Sequence, residues 1–148
     1  MNTIKNISFF LMMSVVLNVL SKYLESNFLL DFLCANLIII LLTLLAINTA
    51  TTGLLSIKMA ELTTKFKELN FDATYKEMKF SLKEQIFLIC LSIIILIING
   101  SKILLFEYKD LIVCTLLTTV FLYAIDILRD TGVSVFDLLE LSNKFEKK

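Results

Sequence analysis

A run of 26 residues from Phe32 to Ile57 carries no charged side chain, and this run limits the possible folds more than any other feature. As a helix it would be roughly 39 Å long at 1.5 Å per residue, which exceeds the bilayer hydrocarbon core of about 30 Å. Within lipid every backbone N–H and C=O must be bonded inside the chain, so such a run reads as a membrane-spanning helix. Composition agrees. Of 148 residues, 57% are hydrophobic and 19% charged, with a mean hydropathy of +0.84, too apolar for an ordinary soluble domain. There is no proline and glycine occurs three times, so long helices have few reasons to break. Three further apolar segments approach the length a bilayer needs.

The expected fold is all-α, a four-transmembrane-helix polytopic protein forming one membrane domain over 1–148. Its spans are 6–21, 32–57, 85–105 and 111–128. The first has the outline of a signal peptide, with Lys5 ahead of an apolar stretch, but no pair of small cleavage-site residues follows between Ser21 and Ser26, so it reads as a retained helix.

Orientation follows from lysine and arginine on alternate sides. Eleven lie on the side of Lys5, the middle loop 58–84 and the tail 129–148, against three, Lys22, Lys102 and Lys109, on the other. This places both termini and the middle loop in the cytosol. The outer loops, Lys22–Asp31 and Lys102–Asp110, are too short to hold a domain. The richness in Lys, Ile, Asn, Leu and Phe fits an AT-rich bacterial genome, and the expected location is the inner membrane.

The middle loop has its own pattern. Met59, Leu62, Phe66 and Leu69 recur at steps of three and four, and after a polar break Phe71, Tyr75, Met78 and Leu82 repeat the rhythm. Two matched stripes predict a coiled-coil-like antiparallel hairpin that projects into the cytosol by about 18 Å, with the stripes as its core. Lying flat in the headgroup region is the alternative. Asn70, Phe71 and Asp72 form the turn, with Asp72 or Thr74 as the cap of the returning helix. Glu61 and Lys65 are placed for an i,i+4 ion pair. Beyond the fourth span, Gly132 predicts a helix stop, and Ser134 with Asp137 a capping box for a short amphipathic tail helix. That helix carries Val135, Leu138, Leu141 and Phe145 on one side.

Chemistry-bearing motifs are few. There is no histidine, no glycine-rich phosphate loop, no HExxH and no nucleophile elbow, so the expectation is a protein that is not an enzyme and needs no cofactor or metal. Cys34, Cys90 and Cys114 lie in apolar segments without a Cys-x-x-Cys pair and behave as small hydrophobes. Cys34 and Cys114 are the only plausible partners for each other. Charge balances at 14 basic and 14 acidic residues, which gives no field for direct nucleic-acid binding. The second span is the most polar: Ala46, Thr49, Ala50 and Gly53 make a small face for close helix packing, within a subunit or between subunits, and Asn48 and Thr52 stand four apart. Thr115, Thr118 and Thr119 form a polar row in the fourth span, where threonine can satisfy its hydroxyl on its own helix. Asp126 near the cytosolic surface is set to pair with Arg129. Lys65, Lys67, Glu68, Lys76, Glu77 and Lys79 suit the rim of a protein-docking surface.

The run Ala46-Ile47-Asn48-Thr49-Ala50-Thr51-Thr52-Gly53, leading straight into Lys58-Met59-Ala60-Glu61-Leu62, resembles the small four-helix membrane subunit of the bacterial Kiwa anti-phage system. The resemblance implies an oligomeric membrane sensor in antiviral defence that binds a soluble, DNA-engaging cytosolic subunit; it carries over no individual residue role. From the residues themselves come two competing functions. One is a non-enzymatic homo-oligomeric scaffold in the bilayer that docks a cytosolic protein. The other is a pore-forming or membrane-disrupting effector in which Asn48 and the threonines line water.

Overall fold

The computed structural model describes residues 3–66, 69–103 and 108–146. Among these residues there are four α-helices and no strand: α1 (Thr3–Tyr23), α2 (Phe28–Lys65), α3 (Asp72–Gly100) and α4 (Lys109–Glu146). Each is long and apolar enough to cross a membrane. Charges at several helix ends suit the helix dipole, with Asp31, Asp72 and Asp110 in first turns and Lys22, Lys65 and Lys144 in last turns.

Helix α1 ends in a Schellman turn. Ser26 N–H reaches Ser21 O at 2.9 Å and Glu25 N–H reaches Lys22 O at 3.1 Å, which satisfies two orphan carbonyls. The geometry needs a left-handed residue, and Glu25 supplies it at φ 51°. At the next connection Asn70, rather than Asp72 or Thr74, serves the start of α3, because its Oδ1 accepts the Asp72 N–H at 2.7 Å. Asn70 lies ahead of the helix, and its side chain closes a local turn on the N–H two residues on.

Helix α4 is the hub, packing on α1, α2 and α3, while α1 scarcely touches α2. Half of the most apolar part of α4 is buried, against 11% of that of α1. The main core joins Leu33, Leu37 and Leu41 of α2 to Leu88 and Ile95 of α3 and to Val113, Leu117, Val120 and Ile127 of α4. Large apolar side chains such as Phe9, Met12, Ile39, Phe87 and Ile97 point outward instead, as lipid-facing residues do.

A second cluster lies beyond the first. Leu55, Met59 and Leu62 of α2 meet Leu138 of α4, with Phe66, Leu69, Phe71, Tyr75, Met78, Val135 and Leu141 packed around them. The rings of Phe66 and Phe145 are 5.1 Å apart. Asn6, near the start of α1, contacts Asp126 of α4, so α4 continues past the end of α1. With 38 residues in α2 and in α4 against 21 in α1, one end of the bundle projects beyond α1 by about 25 Å.

The expected stop at Gly132 and the separate tail helix are not present: α4 runs unbroken from Lys109 to Glu146. Glycine inside a helix costs only about 1 kcal/mol, and packing of Val135, Leu138 and Leu141 on α2 and α3 outweighs that. Ser134 is not a cap. Its Oγ donates to Asp130 O at 3.0 Å, one turn back, the usual behaviour of serine within a helix. Helix α3 ends at Gly100, with Ser101 in an extended conformation as C-cap; the expected span to 105 thus outruns the helix, and residues 104–107 lie outside the described residues.

Candidate functional site

Polar side chains inside an apolar bundle must find one another, and here they clasp the helices pairwise. Between α2 and α3, Asn48 is fully buried and its Nδ2 donates to Ser81 Oγ at 3.1 Å and to Gln85 Oε1 at 3.0 Å. The buried row of α2 runs Leu41, Asn48, Leu55 and Leu62, seven residues apart, and Gln85, Leu88, Ser92 and Ile95 form the matching row of α3. Asn48 and Gln85 therefore sit on a coiled-coil seam, where a polar pair fixes register at a cost in stability. Part of that cost is visible, since Asn48 Oδ1 and Gln85 Nε2 have no hydrogen-bond partner.

The other clasps involve α4. Tyr123 O–H donates to Glu84 Oε1 of α3 at 2.7 Å. Thr119 Oγ1 donates to Ser14 Oγ of α1 at 3.0 Å. Asp126, 4% exposed, accepts Asn6 Nδ2 at 3.2 Å and pairs with Arg129 at 2.7 Å. Thr115 and Thr118 bond carbonyls one turn back in their own helix, and so does Thr52, through Asn48 O.

The small face of α2 looks the other way. Ala46, Thr49, Ala50 and Gly53 are exposed, and a Cβ added at Gly53 would meet nothing within 4 Å. Thr49 satisfies its hydroxyl on Leu45 O. Thus the Ala46–Gly53 stretch divides, with Asn48 and Thr52 turned into the subunit and the small residues turned out of it.

At the projecting end the structure gathers Met59, Leu62, Phe66, Leu69, Phe71, Tyr75 and Met78 into one cluster, while Leu82 is half-buried outside it. Tyr75 also donates its O–H to Ser56 O at 3.3 Å. Around this core Lys65, Lys76, Glu77 and Lys79 are exposed; Lys67 and Glu68 lie outside the described residues. Glu61 pairs with Lys58 at 3.3 Å rather than with Lys65. Glu61 is exposed and Lys58 partly so, and such a solvated pair contributes little. On the tail, Lys144 sits 2.7 Å from Glu140 and holds that carboxyl below its usual range.

Ser81, Gln85, Glu84, Tyr123, Asn6 and Ser14 escaped the sequence reading. A signal existed for two of them: Ser81 and Gln85 stand four apart on α3 as Asn48 and Thr52 do on α2, so two polar pairs could face each other. The three cysteines are free, Cys114 buried, Cys34 half-buried and Cys90 exposed. No group of three or more metal-ligating side chains occurs among the described residues. No family model, no curated protein and no solved structure matches this chain.

Proposed function

We propose that this chain is an oligomeric, non-enzymatic scaffold or sensor of the bacterial inner membrane whose projecting end lies in the cytosol and docks a soluble protein. The resemblance to the Kiwa membrane subunit makes anti-phage defence its setting. The observation that carries the reading is the unequal length of the helices. Lipid accounts for the apolar surface of the spans, but the second cluster binds α2, α3 and the end of α4 into a unit that extends up to about 25 Å beyond α1. Lysine asymmetry assigns that unit to the cytosol.

Its exposed Lys65, Lys76, Glu77 and Lys79 form the rim of the docking surface, where charge gives specificity more than affinity. The outward small face, Ala46, Thr49, Ala50 and Gly53, is the subunit contact, since small residues let backbones approach closely in lipid. A pore would set Asn48 against water. Its complete burial and its bonds to Ser81 and Gln85 favour the scaffold.

The test is co-purification of tagged protein from its native host with Lys65→Glu and Lys79→Glu combined. The doubly reversed chain should insert normally and lose its soluble partner, and salt should weaken the wild-type contact. Full retention of the partner by the inserted variant throughout a salt series would move the docking site elsewhere.

A further inference from the structure

Where α3 and α4 leave the apolar region, a cavity of about 570 Å³ opens between them, backed by α2. That volume falls within the range of small-molecule sites. Its level is set by the sequence. Helix α3 carries its last charge at Glu84 and is apolar from Ile86 to Ile98 but for Ser92, while α4 is free of charge from Leu111 until Asp126. The lining residues lie where charge begins on both helices, at the level of lipid headgroups.

Leu55, Met78 and Ile127 provide an apolar wall, and Phe80 and Val133 line the cavity while remaining 55% and 51% exposed, which continues an apolar surface toward lipid. The charges are unequal: among the described lining residues Glu77, Glu84 and Asp130 face one cation, Lys76, and Arg129 stands beside Asp130. Tyr123 fixes Glu84 through Oε1 at 2.7 Å, and Arg129 takes Asp130 through Oδ1 at 3.0 Å, so these two carboxylates are each held in place by one oxygen. Asn48 likewise holds Ser81.

We propose that this cavity is a headgroup site for an aminophospholipid of the inner leaflet. The lipid ammonium is received by Glu77, Glu84 and Asp130, its phosphate by Lys76, and the first part of an acyl chain by Phe80 and Val133. A primary ammonium offers three donors to the carboxylates. A choline headgroup offers none, and an anionic headgroup meets an excess of negative charge. The inner-leaflet assignment rests on the orientation proposed above, and the site shares Lys76 and Glu77 with the docking rim, but lipid retention by the purified chain is read with no protein partner present.

The full chain is purified in mixed micelles holding equal phosphatidylethanolamine, phosphatidylcholine and phosphatidylglycerol, and the lipid retained is counted by native mass spectrometry. Wild type should retain phosphatidylethanolamine over phosphatidylglycerol by about tenfold, the ratio one charge-assisted hydrogen bond supports, with phosphatidylcholine between them. Thr74→Trp fills the cavity and leaves every carboxylate, and it should abolish the preference. Glu77→Gln with Asp130→Asn should bring the ratio close to one. Equal retention of the two lipids by wild type, or a preference that survives Thr74→Trp in a protein of unchanged melting temperature, overturns the proposal. If Thr74→Trp does not fold, the wild-type ratio and the neutralised pair decide between the same two outcomes.

Discussion

Cutting one side of the Asn48–Gln85 clasp should cost more than cutting both. Asn48→Leu leaves Gln85 buried, at 2% exposure, with neither its carbonyl nor its amide group paired, a penalty of about 1–3 kcal/mol. Gln85→Met still leaves Asn48 the Ser81 hydroxyl, so its cost should be near the lower end of that range. The double variant removes both amides and, with them, the two atoms already unpaired in the wild type, Asn48 Oδ1 and Gln85 Nε2. It should therefore be at least as stable as wild type. The two single losses sum to about 2–4 kcal/mol and the double variant loses nothing, so the coupling should be at least about 2 kcal/mol, above the average of about 0.6 for such cycles inside membranes. Reversible unfolding in mixed micelles, followed by circular dichroism as denaturing detergent is added, measures all four proteins. Losses that add within about 0.3 kcal/mol, as for independent sites, would refute the clasp.

Three further substitutions test the fold. Gly132→Ala should stabilise the protein by about 0.5–1 kcal/mol, because a Cβ there meets nothing within 4 Å and α4 is continuous; a loss of stability would mean a helix stop after all. Glu25→Gly should raise the melting temperature slightly, since the left-handed C′ position of the Schellman turn favours glycine; a lower melting temperature counts against that turn. Leu62→Ala, 1% exposed in the second cluster, should cost about 2–5 kcal/mol and speed hydrogen exchange in Asp72–Tyr75 and Val135–Leu141 while sparing the core around Leu117. Uniform loss of protection would show that the projection has no core of its own.

The four long apolar helices were legible because a charge-free run such as Phe32–Ile57 has the length and composition that crossing a bilayer requires. Met59, Leu62, Phe66, Leu69, Phe71, Tyr75 and Met78, which share a three–four spacing, fall in the second cluster, whereas Leu82 of the same stripe does not and Leu55 joins from outside it. The course of α4 was not legible. Gly132 and Ser134 have strong local preferences for helix ends, but contacts from Val135 to Leu141 on other helices are invisible in a local pattern and outweigh them. The polar clasps escaped for the same reason. Gln85, Glu84 and Tyr123 look like boundary residues in sequence, and only the relative placement of α2, α3 and α4 makes them partners. The division of Ala46–Gly53 into an inward and an outward face likewise needed the position of α3.

The central claim is that the projecting end, with its second apolar core, lies in the cytosol. Its most direct test is single-cysteine labelling with a membrane-impermeant maleimide in a cysteine-free background, comparing Asn70→Cys, an exposed position just before α3, with Asn27→Cys, an exposed position just before α2. Asn27→Cys should react in intact spheroplasts, and Asn70→Cys only in inside-out vesicles. Reaction of Asn70→Cys in intact spheroplasts would contradict the orientation and the docking function that rests on it.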